Sequence, residues 1–334
     1  MMTRRRCLNE RARVARLTRM HVALFFWGHL PVVDYGGTQR MVVCLARGLA
    51  EAGHRVSLLA APESQVPEAT LVPVDPIQAR RPDFDIRPRL PKGMDLLLSY
   101  VQIRRPPDAP WIHRLEGNRK PGASGLPNTV YLSENHARRH GGHAWVYNGL
   151  DPREFRFRRG KDDYDLFLGR LHRAKGYRLA VEGAKRTRRR ILVAGGWRFS
   201  LSRWVRYVGK VGGDRKAALL AGARVLWMPA QWEEPCGNTI LEALVSGTPV
   251  LGTRRGALPE IISAEVGALG DSLDELVMLR PALDRIDPDA CRARIERFFT
   301  YRVMTEGLLR MFREYLTSGT LPAGVPLGAA AGAG

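Results

Sequence analysis

The sequence predicts an α/β protein made of two Rossmann-like, doubly wound domains, each with a parallel sheet. Short apolar runs alternate with segments whose apolar residues recur at helical spacing. This alternation occurs twice, once before residue 155 and again after residue 164. A polar, charged stretch, RFRRGKDD at 156–163, separates the two series. Strands that alternate with helices are typical of parallel sheets covered by helices.

The first series opens with a strand, a loop, a helix and a second strand. The apolar run HVALFFW at 21–27 predicts a buried strand, and RVSLLAA at 55–61 predicts the next one. Between them, RMVVCLARGLAEAG carries apolar residues at helical spacing and stops at Gly53. Such a unit implies a parallel pair with a right-handed crossover. Further strands are predicted at MDLLLSY, WIHRL and TVYLS, whereas residues 62–95 are rich in Pro and Arg and weakly periodic.

The second series repeats this alternation from residue 164 onward. YDLFLGRL predicts a strand that runs into a loop, GYRLAVEGAKR a helix and RRILVAGG a strand. A short strand VRYVGKV, a helix RKAALLAGA and a strand RVLWMPA follow. A helix then starts near Asn238, and TPVLGT predicts another strand. The repeat predicts a second parallel sheet.

These patterns divide the chain into five parts. Residues 1–19 form a basic extension with seven Arg and one Glu, unless translation starts at Met20. Residues 20–155 form the first domain and 156–300 the second. A helix is predicted at 301–317. The tail, 318–334, is of low complexity and is expected to be disordered.

The chain of 334 residues is strongly basic, with a net charge of +20 from 53 basic and 33 acidic residues. This charge indicates either a solvated, arginine-rich surface or attraction to an anionic partner: a phosphorylated substrate, an acidic membrane or nucleic acid. Nucleic-acid binding would require aromatic residues interleaved with basic ones or a recognisable module, and neither is visible. We therefore expect no nucleic-acid partner.

Cysteine usage and hydropathy predict that the protein is cytoplasmic. The four cysteines lie at 7, 44, 236 and 291, with no CxxC pair and no accompanying His cluster. This spacing predicts reduced thiols and argues against a zinc site. No apolar run reaches the roughly 18 residues that a membrane-spanning helix needs. The first 19 residues contain no apolar stretch of the secretory type.

The stretch WEEPCGNTILEALVSGTPV at 232–250 carries the strongest chemical signal. A helix N-terminus offers unpaired N–H groups and a positive dipole end, which suit a diphosphate. Glu242 lies about one turn into the helix, where its carboxylate could accept hydrogen bonds from paired ribose hydroxyls. Glu234 precedes the helix and could reach the other end of the same ligand. Alternatively, such acids only interact with the helix dipole or cap the helix.

This stretch resembles the E-x7-E signature of family 4 glycosyltransferases, the retaining sugar-nucleotide enzymes of GT-B fold. The resemblance is greatest to bacterial members, through Trp232-Glu233-Glu234-Pro235, Gly237 and Gly247-Thr248-Pro249-Val250. RRGALPEII at 254–262 matches the downstream part of the pattern. Similar segments occur in the same order elsewhere, so that the resemblance covers roughly residues 21–315. These segments are YGGTQRMVVCLARGLAEAGHRVSLLA, VYNGLDPREF, FLGRLHRAKGYRLAVEGAKR and YVGKVGGDRKAALLAGARVLWMPAQWEEP.

The resemblance implies a role for each matching position. Arg170 and Lys175 match the basic pair directed at the donor diphosphate, where cations stabilise the charge of the leaving group without a metal. Gly36 and Gly37 match the loop that approaches the donor phosphates, where glycine permits close approach and positive φ. Glu234 matches the acid that contacts the transferred sugar, and Glu242 the one that holds ribose. Backbone donors near the sugar and phosphate are implied at Cys236, Gly237, Asn238 and Thr239.

Two departures from the pattern leave questions open. Cys236 stands where Phe is usual, and Asn238-Thr239 where Leu-Val is usual, which leaves the sugar undetermined. His113-Arg114-Leu115-Glu116-Gly117 matches an H-x-x-H-G pattern with Glu116 at the second His. Either Glu116 bonds a sugar hydroxyl or His113 serves near the reacting centre. A lone His in a strand is more often structural.

The resemblance implies a complete enzyme of the GT-B type. The two domains would face each other across a cleft, with the acceptor on the first, the nucleotide-sugar donor on the second, and the last helix crossing back to the first. Transfer would proceed with retention, with the departing diphosphate taking the acceptor proton, and with no metal or other cofactor. The acceptor would be a glycan, a lipid-linked sugar or lipopolysaccharide in cell-envelope biosynthesis. Contact with the inner face of an anionic membrane, through the basic extension, is a further hypothesis.

Three alternatives remain at this point. Another GT-B enzyme, such as a sugar-nucleotide epimerase or a phosphorylase, is the first, although none of the seven lysines shows the context of a pyridoxal phosphate lysine. The second is a nucleic-acid-binding protein, suggested by the charge. The third is a catalytically silent scaffold, which the departure at Glu116 leaves open.

Overall fold

The computed structural model describes residues 17–31, 36–120 and 126–327, which form two compact units. Of the described residues, unit 1 comprises those up to Tyr131 together with His140–Val146 and Met304–Gly324. Unit 2 comprises Leu132–Arg139, Tyr147–Val303 and the residues from Val325 onward. Each unit is built on its own six-stranded parallel sheet.

The sheet of unit 1 has the strand order β3-β2-β1-β4-β5-β6, and every neighbouring pair is parallel. The order reverses between β1 and β4, which makes their carboxyl ends the topological switch point of this sheet. The elements of unit 1 before its last helix are β1 (His21–Phe25), α1 (Gly37–Glu51), β2 (Arg55–Ala60), β3 (Thr70–Pro73), α2 (Pro76–Ala79), β4 (Leu96–Ser99), β5 (Trp111–Arg114) and β6 (Thr129–Val130).

The sheet of unit 2 repeats this topology in the order β12-β11-β10-β7-β8-β9, again with parallel pairs, and its switch point lies between β7 and β10. Its elements are α3 (Glu134–Arg139), β7 (Asp165–Leu168), α4 (Tyr177–Arg186), β8 (Ile191–Ala194), β9 (Val205–Gly209), α5 (Gly213–Gly222), β10 (Leu226–Met228), α6 (Asn238–Val245), β11 (Val250–Thr253), α7 (Leu258–Ile261), β12 (Gly267–Gly270), α8 (Leu273–Leu279) and α9 (Pro288–Phe298). The last helix, α10 (Tyr301–Ser318), belongs to unit 1 from Met304 onward. Short 3-10 helices occur at Arg87–Arg89, Pro152–Glu154, Arg173–Lys175 and Arg280–Arg285.

The central strands are buried because both faces of a doubly wound sheet are covered. Every residue of β1, β4, β8, β10 and β11 is buried. Continuous apolar runs are what a parallel sheet with two covered faces requires. In unit 2, Trp227 of β10 is completely buried and packs in one cluster with Phe167 and Ile191.

One buried ionic network joins the start of β7 to the end of α8. Asp165 accepts hydrogen bonds from Arg280 Nε at 2.7 Å and Nη2 at 2.5 Å, and from the indole N–H of Trp227 at 2.8 Å. The side chains of Asp165 and Arg280 are 1 % and 0 % exposed. Arg280 also donates to Asp284 at 2.9 Å. Because both carboxylate oxygens are bonded, the buried carboxylate is compensated in both charge and hydrogen bonding.

The predicted fold class is confirmed, and the two sheets follow the predicted alternation. Two strands were not expected from the sequence. The strand β3 lies within the weakly periodic stretch 62–95 and has no fully buried residue, so it lacks an apolar run. The strand β12 is GALG, a composition with little strand preference, and it pairs only with β11.

The structure describes residues 318–327 of the tail, but only residues 17–19 of the basic extension. Residues just after Ser318 were expected to be disordered, yet they are bonded to unit 1. Arg310 donates to the carbonyl of Ala323 at 2.8 Å, and the N–H of Gly324 donates to the carbonyl of His143 at 2.9 Å. Low complexity does not prevent order here, because backbone groups supply the contacts. Residues 328–334 and most of the basic extension, 1–16, lie outside the described residues.

Within the described ranges, no helix combines the length and apolar character needed to cross a membrane.

Candidate functional site

The predicted donor residues of unit 2 gather around its switch point. Arg170 and Lys175 follow β7, and the segment from Pro229 to α6 follows β10, the strand next to β7 across the reversal. Ligands of open α/β sheets bind outside the carboxyl ends of the strands at this point. The fold therefore brings together two sequence segments that lie about 60 residues apart.

Gly176 allows these two segments to approach closely. Its φ of +73° lies in the left-handed region, and a Cβ at this position would stand 1.7 Å from the carbonyl oxygen of Pro229. Only glycine meets both requirements. The neighbouring N–H of Gln231 donates to the carbonyl of Ala174 at 2.8 Å. Lys175, the residue before this glycine, is thereby fixed beside the loop after β10.

Lys175 and Glu234 form the first charged pair of the site. The Nζ atom of Lys175 lies 2.6 Å from Oε2 of Glu234, which also accepts from the indole N–H of Trp232 at 2.8 Å. The same Nζ lies 4.7 Å from the centroid of the Trp232 ring. Glu234 is only 7 % exposed. Its carboxylate is therefore held by two donors in a defined position.

The backbone around Glu234 is fixed by neighbouring parts of unit 2. The carbonyl of Glu234 accepts from the N–H of Ala257 at 2.8 Å, and the adjacent Glu233 accepts from the N–H of Gly256 at 2.6 Å. Ser133 Oγ donates to the carbonyl of Pro235 at 2.8 Å. The two adjacent acids are thus separated in role: Glu233 secures the loop, and Glu234 faces Lys175.

The helix α6 begins beside this pair without a side-chain cap. Gly237 is its N-cap residue, in the left-handed conformation with φ of +81°. No side chain caps the helix at Gly237, so its first-turn N–H groups are suited to an anion. Asn238 accepts from Asn148 at 2.9 Å through its side-chain oxygen, and Thr239 is half-buried. Cys236 is 2 % exposed, so only its backbone is suited to ligand contact.

Lys216 and Glu242 form the second charged pair, one turn into α6. The Nζ atom of Lys216, on α5, lies 2.6 Å from Oε1 of Glu242. The side chains of Glu242 and Lys216 are 9 % and 15 % exposed. Sequence reasoning missed Lys216. The only signal was its position in GGDRKAALL, within a segment that resembles the family.

Arg170 differs from the two lysines because it is exposed. Among the described residues, no carboxylate lies within ion-pair distance of its guanidinium. Its backbone is fixed, since the N–H of His172 donates to the carbonyl of Arg170 at 2.7 Å. An exposed guanidinium that follows the carboxyl end of β7 and has no acidic partner is suited to an anionic ligand. The sequence had grouped Arg170 with Lys175, and both follow β7.

The other predicted residues lie in unit 1. Gly36 has a φ of 175°, which is extended, and Gly37 is the first residue of α1. The positive φ expected at this pair does not occur. Of the two properties that glycine offers here, close approach of the backbone is the one that still applies. Residues 32–35 of the same loop lie outside the described residues.

His113 is the last residue but one of β5 and is buried. Its Nδ1 lies 3.1 Å from the carbonyl oxygen of Ser99, which can only accept, so Nδ1 carries the proton. Burial lowers the pKa of His113 from its usual value near 6.5 to about 4, with Arg119 adding to the shift and the Ser99 carbonyl opposing it. At neutral pH, His113 is therefore an uncharged imidazole fixed by the backbone.

Glu116 is paired with the buried Arg114. The Nε atom of Arg114 lies 3.2 Å from Oε1 of Glu116, and Nη2 donates to the carbonyl of Val146 at 3.2 Å. Arg114 is 0 % exposed and Glu116 12 % in their side chains. The carboxylate thus compensates a buried guanidinium, and it keeps limited access to solvent.

No cluster of three metal-ligating side chains occurs in the part of the chain that the structure describes. The described cysteines, Cys44, Cys236 and Cys291, are all buried. Burial raises the pKa of Cys291 to about 12. The polar chemistry of the unit 2 site therefore comes from two ammonium–carboxylate pairs, one exposed guanidinium and a helix N-terminus.

Comparisons with known proteins agree with this fold. Residues 164–279, within unit 2, match the family model described as glycosyl transferases group 1. An uncharacterized glycosyltransferase of Methanocaldococcus jannaschii is 30% identical over 154 residues, which are 37% of this chain and 39% of the relative. The putative glycosyltransferase YtcC of Bacillus subtilis is 26% identical over 208 residues, 52% of this chain and 51% of the relative. The chain thus matches about half or less of these relatives' lengths.

Solved structures resemble the chain over most of its length. AviGT4, a glycosyltransferase of avilamycin A biosynthesis, is 27% identical with a TM-score of 0.73, covering 91% of this chain and 100% of its own. Two others are less than 20% identical and show the fold alone. HepE of Anabaena, in complex with UDP-glucose, covers 90% of this chain and 100% of its own with 16% identity and a TM-score of 0.62. WaaG, of lipopolysaccharide biosynthesis, covers 89% and 100% with 14% identity and a TM-score of 0.60.

The protein therefore has the GT-B fold, with two Rossmann-like units. Residues 164–279 of this fold match the family model of glycosyl transferases group 1.

Proposed function

We propose that this protein is a retaining glycosyltransferase of family 4, which moves a sugar from a nucleoside diphosphate sugar to an acceptor hydroxyl. The observation that carries the proposal is the arrangement around α6. Lys175–Glu234 stands before its uncapped N-terminus and Lys216–Glu242 one turn inside it. A nucleoside diphosphate sugar is an anion with hydroxyl groups at both ends, and this arrangement complements it.

Each part of the donor has a proposed partner. The diphosphate binds the first-turn N–H groups of α6, at Gly237, Asn238 and Thr239, with Arg170 and Lys175 as counter-charges. Glu242 accepts hydrogen bonds from the ribose hydroxyls, and Glu234 from the transferred sugar. UDP-glucose bound to HepE, a protein of the same fold, supports a nucleotide-sugar donor.

The proposed reaction breaks the bond between the anomeric carbon and the diphosphate oxygen, whose electron pair leaves with the diphosphate. The acceptor oxygen bonds to the anomeric carbon on the same face, and its proton passes to the departing diphosphate oxygen. Arg170 and Lys175 stabilise the negative charge that grows on this leaving group. No protein nucleophile is needed. For the polar group of unit 1 we favour Glu116 over His113, because His113 is buried and neutral.

A panel of nucleoside diphosphates and their sugars tests the donor site by thermal shift. We expect one diphosphate to raise the melting temperature of the wild type and not that of Glu242→Ala. The panel identifies the base at the same time. If no nucleotide at millimolar concentration shifts the folded wild type, the donor-site proposal is wrong and the silent scaffold becomes the better reading.

The stereochemistry of transfer and the alternative function as an epimerase are tested by analysing the reaction product. Incubation with the identified donor and candidate glycans, followed by NMR of the anomeric proton, distinguishes retention from inversion. An epimerase would change the sugar of the donor without any acceptor. Activity that persists in EDTA would support the proposed independence of metals, whereas loss that a divalent cation restores would contradict it.

We further propose that the acceptor is a glycan or a lipid-linked sugar of the cell envelope, reached at the cytoplasmic face of an anionic membrane. The segment after β8 supports the membrane contact. Trp197, Phe199 and Leu201 are 71 %, 74 % and 90 % exposed. No acidic residue occurs between Glu182 and Asp214, an interval with nine basic ones. Exposed apolar residues among cations are typical of surfaces that bind anionic lipids.

Vesicle sedimentation tests this contact. We expect binding to phosphatidylglycerol vesicles to weaken in a triple variant, Trp197→Ser/Phe199→Ser/Leu201→Ser, and in a chain without residues 1–19. The matched control is Ile77→Ser/Met278→Ser, which removes apolar residues exposed by 77 % and 72 % elsewhere. Equal sedimentation of all variants would exclude both segments as membrane contacts.

A further inference from the structure

A cavity of about 250 Å³ opens in unit 1 and is lined by residues of unit 1. Its walls come from the segments that follow the carboxyl ends of three strands. Phe25 is the last residue of β1, and Trp27 lies just after it. Arg80 follows the short helix α2, which comes after β3. Val101 and Arg104 follow β4. The N–H of Tyr100 donates to the carbonyl of Phe25 at 3.0 Å, which ties the β1 and β4 sides together.

The position of this cavity is that of a ligand site. It lies at the carboxyl ends of β1 and β4, between which the strand order of unit 1 reverses. Unit 2 holds its proposed donor residues at the equivalent point of its own sheet, between β7 and β10. Open α/β sheets bind ligands at this point. The volume lies just below the range of about 300 to 1,000 Å³ that is usual for ligand pockets, which suits one monosaccharide-sized group.

The charge of the cavity is positive. Four arginines line it, at 80, 81, 104 and 105, and none of the described lining residues is acidic. The nearby acids form ion pairs with other arginines or with Arg81 and Arg105. Asp83 pairs with Arg81 at 3.2 Å, and Asp85 pairs with Arg87 at 2.6 Å and with Arg105 at 3.8 Å. Within the described part of the chain, neither Arg80 nor Arg104 has a carboxylate within ion-pair distance. These two guanidinium groups are available for an anion.

Aromatic rings complete the lining. The guanidinium carbon of Arg80 lies over the Trp27 ring, 3.9 Å from its centroid, in a cation–π contact that restricts the position of the group. Phe84 stacks on Phe25 with ring centroids 6.1 Å apart. A guanidinium can donate two parallel hydrogen bonds to a phosphate or carboxylate. Aromatic and aliphatic walls beside it suit the apolar faces of a sugar ring.

We propose that this cavity binds the acceptor, and that the acceptor carries a phosphate or carboxylate next to its sugar ring. The proposal rests on the glycosyltransferase function proposed above, whose second substrate it describes. Arg80 and Arg104 bind the anionic group, and Trp27 and Phe84 form the walls around the ring. A phosphorylated sugar in solution and the phosphate of a lipid-linked head group share this chemistry.

Binding of glucose 6-phosphate and glucose, measured by calorimetry on the full chain, tests the anionic requirement. The measurement is made with unit 2 saturated by the nucleoside diphosphate that the thermal-shift panel identifies. We expect the phosphate to bind at least about tenfold more tightly than glucose, a difference of about 1.4 kcal/mol, since hydrogen bonds to an ionised group are stronger than neutral ones. Equal affinities for the two sugars would overturn the proposal.

The location is tested with Arg80→Gln/Arg104→Gln. We expect this variant to lose the preference for the phosphate and to bind the nucleoside diphosphate as the wild type does, which also shows that it is folded. The control, Arg138→Gln/Arg285→Gln, removes two exposed arginines of unit 2 and should change neither affinity. Wild-type affinity for glucose 6-phosphate in the cavity variant would overturn the assignment.

Vesicles distinguish the two sources of the anion. If the cavity variant sediments less than the control with phosphatidylglycerol vesicles, and glucose 6-phosphate binding needs the same arginines, a lipid-linked acceptor is favoured. If only the binding of the soluble sugar phosphate changes, a free anionic sugar is favoured. Should the wild type bind no nucleotide at all, the proposed function fails, and the sugar-phosphate titration without nucleotide still decides whether the cavity is an anion site.

Discussion

Lys216 of α5 and Glu242 of α6 meet at 2.6 Å, although 26 residues separate them in the sequence and neither side chain is more than 15 % exposed. The pair fixes the carboxylate that we assign to ribose. An unpaired carboxylate at this depth would be disfavoured, because removing one partner of a buried pair leaves the other uncompensated. Lys216 is thus a positioning residue for the proposed donor site.

Replacement of Lys216 by Met should weaken nucleoside diphosphate binding by about tenfold or more, since the pair is charge-assisted. Calorimetry on Lys216→Met, Glu242→Gln and the double variant forms a double-mutant cycle. The matched control is Lys185→Met, which breaks a pair with Glu182 at 3.7 Å whose side chains are 43 % and 50 % exposed. Equal losses for Lys216→Met and Lys185→Met would contradict a specific role for Lys216.

Gly176→Ala should destabilise the protein by about 2 kcal/mol or more, because the left-handed backbone is strained for alanine and the new Cβ meets the carbonyl of Pro229. Two controls separate these causes in urea unfolding. Gly209 has a φ of +78°, and no atom lies within 4 Å of a Cβ built there. Gly209→Ala therefore tests the backbone strain alone. Gly160→Ala has neither feature and should change the free energy of unfolding little. A Gly176→Ala loss no larger than that of Gly209→Ala would show that the contact with Pro229 relaxes.

Arg280→Met should cost about 3 to 5 kcal/mol of folding free energy, because it leaves the carboxylate of Asp165 buried without its cation. The comparison is Arg254→Met, which breaks exposed contacts with Asp271 and Glu275 and should cost about 1 kcal/mol or less. Chemical denaturation of both variants measures the difference. Similar losses would indicate that water reaches Asp165 when Arg280 is removed.

His113 should make folding stability depend on pH between about 6.5 and 4. The unfolded chain binds a proton near pH 6.5, whereas the folded chain does so only near pH 4. The unfolded state therefore holds more protons in this window, so stability falls as the pH falls from 6.5 to 4, by at most about 3 kcal/mol. His113→Gln should remove this part of the pH dependence.

Urea unfolding of the wild type and His113→Gln across this pH range measures the difference between their stabilities. NMR titration of the His113 imidazole in the wild type measures the pKa directly. A pKa near 6.5, or parallel stability curves for the two proteins, would show that the imidazole is solvated, and would reopen His113 as the polar group of the active site.

The strands and helices were predicted where local patterns are strong. Continuous apolar runs identified the central strands of both sheets, because a strand buried on both faces needs apolar residues at every position. The partly exposed β3 and the glycine-rich β12 have no such run and were missed. Their existence depends on β2 and β11, whose free edges they complete.

The site was predicted in part. The resemblance assigned roles to Glu234 and Glu242, but it gave no partner to Glu242, because Lys216 comes from another helix. At Gly36 and Gly37 glycine was expected to permit close approach and positive φ; neither has a positive φ, since Gly36 is extended and Gly37 begins a helix. The pocket lined by Arg80 and Arg104 was not foreseen, because its walls come from segments after three different strands.

The sequence by itself determined the alternation of strands and helices, and with it two parallel sheets, because hydrophobic periodicity is a local property of the chain. It also determined that a helix begins after Glu234. The tertiary structure decided which of two adjacent acids, Glu233 or Glu234, faces Lys175, and which lysine meets Glu242. Side chains from distant segments meet only after the sheets have formed, and the reversal of strand order between β7 and β10 brings those segments together.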